Sequence, residues 1–290
     1  MISRRRLLTL GAATAASGVL SAADAFALEP GFGLTVKEWT VGHADWPKSA
    51  PPLRIGVLTD IHAVDPWMSA ARIGAIAERL NGLNPDVIVL LGDYVNALKP
   101  RFCTALVPVA EWMAALKELS APLGVYAVLG NHDWWSGQTP LMRRSFEKAG
   151  ISLLENAAVS VNTGTHRFWI AGLGDQLSFG RHGTDDLEGT LSQLSGGGPA
   201  VLLAHEPAIF KKVPASVALT LSGHTHGGQV YVPFVGRPVM PDACAGYAYG
   251  HFEEEGRHLI VSSGLGVSGY PVRFMVPPEI AMVTLRNLKG

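Results

Sequence analysis

The chain has 290 residues, 48% of them hydrophobic, which is enough to bury the core of one sizeable α/β domain. Only 16% are charged, and 23 Lys and Arg nearly balance 24 Asp and Glu, so no global field exists to attract polyanions and the balance disfavours a dedicated nucleic-acid binder. The two cysteines, Cys103 and Cys244, are too few for a disulfide framework and lack the spacing of a zinc knuckle; they read as ordinary thiols, with one disulfide between them as the alternative.

The N-terminus sets Ser3-Arg4-Arg5-Arg6-Leu7-Leu8 before a weakly apolar run of Ala, Gly and Ser that closes at Ala25-Phe26-Ala27. This pattern predicts a signal peptide over residues 1–27, cleaved after Ala27, and a mature domain over residues 28–290. Paired arginines followed by two leucines resemble a twin-arginine export signal, which implies passage through the twin-arginine translocase and a periplasmic or cell-envelope location. An uncleaved anchor is the alternative, although Thr9, Thr14, Ser17 and Ser21 leave little hydrophobicity for a stable span.

Further along, Leu53 to Thr59 reads as a short buried strand that delivers Asp60. Ile73, Ile76, Ala77 and Leu80 fall at helical spacing between Ser69 and Leu83. A second buried strand, Asp86 to Leu91, stops at Gly92-Asp93. A helix over Ala110 to Leu119 leads to a third, Val125 to Leu129, which stops at Gly130-Asn131-His132-Asp133. Strand, helix and strand in this rhythm imply parallel pairing with right-handed crossovers. The second half is richer in strands, at Val159 to Val161, Phe168 to Ala171, Val201 to Leu203, Ala218 to Leu221, Leu259 to Val261 and Ile280 to Leu285. His205 follows one of these, and His224 and His226 follow another.

Taken singly, each polar residue at a strand end has a plain explanation as a cap, a turn or a core histidine. Five of the ten histidines, however, stand just beyond apolar strands together with Asp60, Asp93 and Asn131, where open α/β sheets bind their ligands. Imidazole and carboxylate in such a cluster suit a divalent metal.

The blocks DIH (60–62), GDY (92–94), GNHD (130–133), the histidine of LLAHEP (202–207) and GHTH (223–226) resemble, in order, the five-block pattern of calcineurin-like metallophosphoesterases. The resemblance implies an α/β layered sandwich with two mixed β-sheets flanked by helices. It implies one metal held by Asp60, His62, Asp93 and His226, and another held by Asp93, Asn131, His205 and His224, with Asp93 bridging. It also implies a catalytic role for His132, which would protonate the leaving oxygen or bind developing charge. Two cations about 3.5–4 Å apart share a hydroxide and neutralise the oxygens of an in-line phosphoryl displacement. The ligands fit Mn, Fe(II) or Zn. Purple acid phosphatases carry a tyrosine ligand where this chain has Asn96, so a ferric tyrosinate site is not expected.

Asp133 is expected either to orient an imidazole or to cap a turn. The run Ser262 to Ile280 resembles a bacterial branch of exported or membrane-associated phosphodiesterases that includes UDP-2,3-diacylglucosamine hydrolase-like enzymes. The expected substrate is therefore a phosphorylated small molecule or a lipid-linked phosphodiester or pyrophosphate, with peripheral membrane association. A phosphomonoesterase on the same site and a non-catalytic metal-binding scaffold are the alternatives. Arg273 in that run either reaches a substrate phosphate or pairs with Glu279, and Trp67, Trp134 and Trp135 either wall the site or pack beneath its loops.

Overall fold

The computed structural model describes residue 25 and residues 29–98, 101–164, 166–241 and 243–288. After a short helix, α1 (Glu29–Phe32), come β1 (Thr35–His43), β2 (Leu53–Leu58), β3 (Val64–Asp65), α2 (Ala70–Gly82), β4 (Val87–Leu90), β5 (Ala105–Leu106), α3 (Val109–Leu116) and β6 (Val125–Ala127). The middle of the chain forms α4 (Asn131–Trp135), α5 (Thr139–Ala149), β7 (Ser152–Leu153), β8 (Ala157–Asn162), β9 (Arg167–Gly172) and α6 (Leu187–Leu191). It ends with β10 (Ala200–Leu203), β11 (Val217–Ser222), β12 (Gly250–Glu254), β13 (Arg257–Val261) and β14 (Glu279–Asn287).

Two six-stranded mixed sheets result, in the orders β1-β14-β2-β4-β6-β7 and β12-β13-β11-β10-β9-β8. In the first, β2, β4, β6 and β7 run parallel, and in the second β9, β10, β11 and β13 do. Parallel strands buried on both faces must be apolar at every position, which is why β4 reads Val-Ile-Val-Leu and is buried throughout. Its period of two divides that apolar content. Val87 and Val89 face the second sheet, packing with Ile55, Val57, Ile170 and Leu203, while Ile88 and Leu90 face the helices. Ile73, Ile76 and Leu80 of α2, Trp112 of α3 and Phe146 of α5 cover that outer face. The Ser69 hydroxyl caps α2 by accepting from Arg72 N at 3.3 Å. Gly56 of β2 lets α2 sit close, since a Cβ there would lie 2.7 Å from Leu80 Cδ1.

The layered α/β sandwich expected from the sequence is thus the one observed. Cys103 and Cys244 are free thiols, so the disulfide alternative is set aside. Three substantial elements were not expected: β1, β12 and α5.

Candidate metal centre

The strands of both sheets end along one edge of the sandwich, and the expected residues meet there. Asp60 and His62 follow β2, Asp93 follows β4, and Asn131 and His132 open α4 after β6. From the second sheet, His205 follows β10, while His224 and His226 follow β11. All are buried. Five of them hold left-handed backbone, with φ of 53° at Asp60, 46° at His62, 56° at Asp93, 66° at His224 and 50° at His226. Such conformations are costly for residues with a Cβ and cluster where side chains must be aimed. Gly92 and Gly130 let two of these loops touch, because a Cβ on Gly92 would lie 2.8 Å from Gly130 Cα.

Asp93 Oδ2 stands 3.3 Å from His62 Nε2 and 3.2 Å from His205 Nε2, between the two halves of the cluster. On one side His226 Nε2 lies 3.0 Å from His62 Nε2 and 3.4 Å from Asp60 Oδ1. On the other, His224 Nδ1 lies 3.0 Å from Asn131 Oδ1. Carbonyls set the tautomers: His62 Nδ1 faces Val95 O at 3.2 Å and His205 Nδ1 faces Leu91 O at 2.6 Å, so both present Nε2 inward. His205 Nε2, turned onto Asp93, is buried with no hydrogen-bond partner. An inward nitrogen crowded on a carboxylate without a hydrogen bond is what a divalent cation would satisfy, and the mixed N and O donors fit one. Asp60, His62 and His226 form one group able to hold an ion, and Asp93, His205 and His224 form another.

The electrostatics agree. Burial opposes charge on Asp93, but the charge of His205 and the His62 imidazole, both closing on its Oδ2, hold its carboxyl well below the usual carboxylate range. Burial works against a charged His205 as well, yet Asp93 pushes it well above the ordinary imidazole value. A cation among these nitrogens would therefore compete with protons for them. We expect chelation to abolish hydrolysis and lower the melting temperature, since a ligand at a thousand times its Kd adds about 4 kcal/mol. Reloading should restore two ions per chain by elemental analysis. A fully active protein holding one ion or none would contradict the two-ion arrangement.

Asp133 does not orient an imidazole. Its Oδ2 accepts from Asp93 N and Gly130 N, both at 2.9 Å, and its Oδ1 from Tyr94 N at 2.9 Å and Val95 N at 3.2 Å. It caps the start of α4 and locks the Asp93 loop to it. Burial and the Asp93 charge push its carboxyl up to about 7, against the pull of the Gly130 and Val95 amides. Asp133→Asn would turn an amide donor toward buried N–H groups, and should cost about 3 kcal/mol with loss of metal affinity. Unchanged melting and metal content would remove this role.

Arg273 neither lines the cavity over the cluster nor forms an ion pair with Glu279, against both expectations. Fully buried, it donates from Nε to Gly266 O at 3.0 Å, from Nη1 to Val276 O at 3.0 Å and from Nη2 to Ser263 O at 2.9 Å. Glu279 instead accepts from Ser262, Ser263 and Tyr249. The loop that Arg273 clamps backs the first metal group: Gly266 N donates to Asp60 O at 2.6 Å, and a Cβ on Gly264 would lie 2.6 Å from Asp60 Cβ.

A cavity of about 550 Å³ opens over Asp93, Asn131, His132, His224 and His226. Its outer wall is apolar, built from Leu98, Trp135, Leu177, Val239, Met240 and Pro241. Of the three tryptophans singled out in the sequence, only Trp135 lines it; Trp134 packs on Phe179 and beneath Arg143. Arg181 is the single Lys or Arg among the lining residues and was missed, since it stands in a Gly-Arg-His loop without a motif.

A family model described as Calcineurin-like phosphoesterase matches residues 53–228, from β2 through the last histidine of the cluster. The chain is 31% identical over 294 residues to a Bacillus subtilis (strain 168) protein named "Uncharacterized metallophosphoesterase YkuE", covering 99% of this chain and 98% of that one. It is 31% identical over 297 residues to "Phosphodiesterase YaeI" of Escherichia coli (strain K12), covering 98% and 100% respectively. An Aquifex aeolicus (strain VF5) metallophosphoesterase is 32% identical over 267 residues, covering 88% and 92%. With its clustered metal-ligating side chains beneath an open cavity, the chain belongs to the calcineurin-like phosphoesterase family and is a metal-dependent phosphoesterase.

Proposed function

We propose that the chain hydrolyses phosphodiester or pyrophosphate bonds outside the cytoplasm. The observation that carries this reading is the cavity: beyond the ligand cluster it offers an apolar wall and one cation, room for a second substituent on phosphorus that a small monoester lacks. The likeness to a protein named a phosphodiesterase supports it.

Two bound divalent ions, Mn, Fe(II) or Zn, would supply positive charge for the phosphoryl and leaving oxygens and acidify a water. Asp60, His62, Asp93 and His226 would hold one, and Asp93, Asn131, His205 and His224 the other. Asn131 contributes a neutral amide oxygen, which keeps the site attractive to an anion. His132 accepts from Ala97 N at its Nδ1, at 3.2 Å, so its proton resides on Nε2. Burial, outweighing the Asp93 charge, pushes its pKa down to about 3. It therefore acts as a neutral N–H donor to a phosphoryl or leaving oxygen, and the apolar wall excludes water from that bond.

The test is a panel of bis-para-nitrophenyl phosphate, para-nitrophenyl phosphate and a UDP-sugar lipid of the diacylglucosamine type, each assayed with Mn, Fe(II) and Zn. The diester or pyrophosphate should be cleaved faster; a clear preference for the monoester would assign a phosphatase instead.

Export rests on the sequence, because residues 1–24 and 26–28 lie outside the described residues. A mature chain starting at Leu28 keeps the Glu29 carboxylate, which accepts from Met275 N and Val276 N at 3.1 and 2.9 Å. It would lose the bond from Arg273 N to Ala25 O. Replacing Arg4 and Arg5 together by lysine should strand the precursor in the cytoplasm on fractionation. Normal export of that variant would rule out the twin-arginine route.

A further inference from the structure

Four loops surround the cavity mouth, residues 97–98 with 101–104, 177–182, 229–241 and 268–276, and each supplies at least one residue that lines it. Three of them are tied into one surface by Arg101 N to Gly269 O at 3.1 Å, Ser268 N to Gln229 Oε1 at 2.7 Å and Tyr231 N to Phe274 O at 2.9 Å. These loops carry most of the large apolar side chains that the described surface exposes. Phe234 is fully exposed, Phe102 is 74% exposed, Val235 72%, Val239 71%, Phe179 68% and Leu98 57%.

Scattered exposed apolar residues are ordinary, but a contiguous set around one opening is not. Phe102, Phe234 and Met275 moreover hold left-handed backbone, with φ of 63°, 68° and 55°, an outlier for bulky residues. A soluble surface gains nothing from strain that presents apolar side chains to water.

The charge is equally one-sided. None of the four loops contains an Asp or Glu of its own, although the chain has 24 of them; the Glu29 carboxylate is bonded to them at Met275 N and Val276 N, and Arg101, Arg181 and Arg237 stand among the apolar tips. Arg101 lies over Tyr270, and Arg237 lies over Tyr231 and Tyr249, so two of the cations are held on aromatic rings. Cations that outnumber carboxylates among aromatic and aliphatic tips match an anionic headgroup layer over hydrocarbon. A second copy of the chain meeting this face would set arginines against arginines, which opposes self-association. Among the described residues no helix is long and apolar enough to cross a membrane, so this contact is interfacial.

We propose that the rim of the cavity docks onto a bilayer carrying anionic lipids, and that the centre draws its phosphoester from that bilayer. The docking stands on the rim alone, whereas the substrate source rests on the phosphoesterase reading above. The face turned to lipid is the one that bears Phe234, and Lys48, in the turn after β1 at the opposite end of the strands, points away.

The test uses the full chain with Cys103→Ser and Cys244→Ser, carrying an environment-sensitive fluorophore at Phe234→Cys or, separately, at Lys48→Cys. Vesicles of phosphatidylcholine with one-third phosphatidylglycerol should shift the Phe234→Cys probe to the blue and expose it to a lipid-borne quencher, and leave the Lys48→Cys probe in water. Pure phosphatidylcholine should bind on the order of 10-fold or more weakly. Phe234→Ser with Val235→Ser should abolish the local insertion yet leave hydrolysis of soluble bis-para-nitrophenyl phosphate unchanged.

A probe at residue 234 that stays aqueous on vesicle-bound protein overturns the proposal, as does a probe shift that follows protein concentration without lipid. Failure of the soluble diester assay, with insertion intact, would strike the phosphoesterase reading and not the docking.

Discussion

Asp93→Ala is expected to remove the ions and the activity together, lowering turnover on the order of 10⁴-fold or more, equivalent to about 5.5 kcal/mol of transition-state stabilisation. Asp93 joins the two halves of the cluster. Oδ2 faces His62 and His205 at once, and Oδ1 accepts from His132 N at 2.9 Å. Its loss would leave two imidazoles without a shared anion and free the start of α4. Elemental analysis should find less than one ion per chain, and Asp93→Asn, which keeps the shape but not the charge, should rescue neither. Retention of two ions by Asp93→Ala would show that the carboxylate does not bridge them.

His132→Ala should behave differently: both ions stay and turnover falls on the order of 10²- to 10⁴-fold. The difference follows from its bonds, since Nδ1 is occupied by Ala97 N and the ring is held edge-on to His62 with centroids 4.6 Å apart. A neutral ring with its proton on Nε2 can donate to an oxygen but gains little from being an acid. The loss should accordingly be similar for good and poor leaving groups. A loss that shrinks steeply as the leaving group's pKa falls would instead assign full proton transfer. Near-normal turnover on an alkyl diester with both ions present would move the donor role elsewhere.

Much of the site is legible in the sequence because short, wholly apolar strands announce themselves, and the residues that end them are then easy to single out. Val87–Leu90 and Ala200–Leu203 are of this kind. β1 escapes the same reading because it lies at a sheet edge, where Lys37, Glu38 and Thr40 can face out and the apolar run is broken. β12, Gly-His-Phe-Glu-Glu, is hidden for the same reason at the edge of the second sheet. What a polar side chain bonds to is harder still. Arg273 shows as a charge near a phosphate site, yet carbonyls of residues 263, 264, 266 and 276 turn toward it, and no side-chain pattern records that. Asp133 is similar, since its partners are four main-chain amides with no residue type of their own.

The cluster is divided between the two sheets, with Asp60, His62, Asp93 and Asn131 from the first and His205, His224 and His226 from the second. His62 and His226, 3.0 Å apart in space, are separated by 164 positions in the chain. An ion held between them is therefore a rivet across the seam of the sandwich. The sheets cannot part until that ion leaves, so the lifetime of the loaded fold under heat or protease would follow the ion's departure rate more than the depth of the hydrophobic core. During synthesis the rivet cannot be set before residue 226 has emerged and both sheets have met, which makes capture of metal a mark of a finished chain.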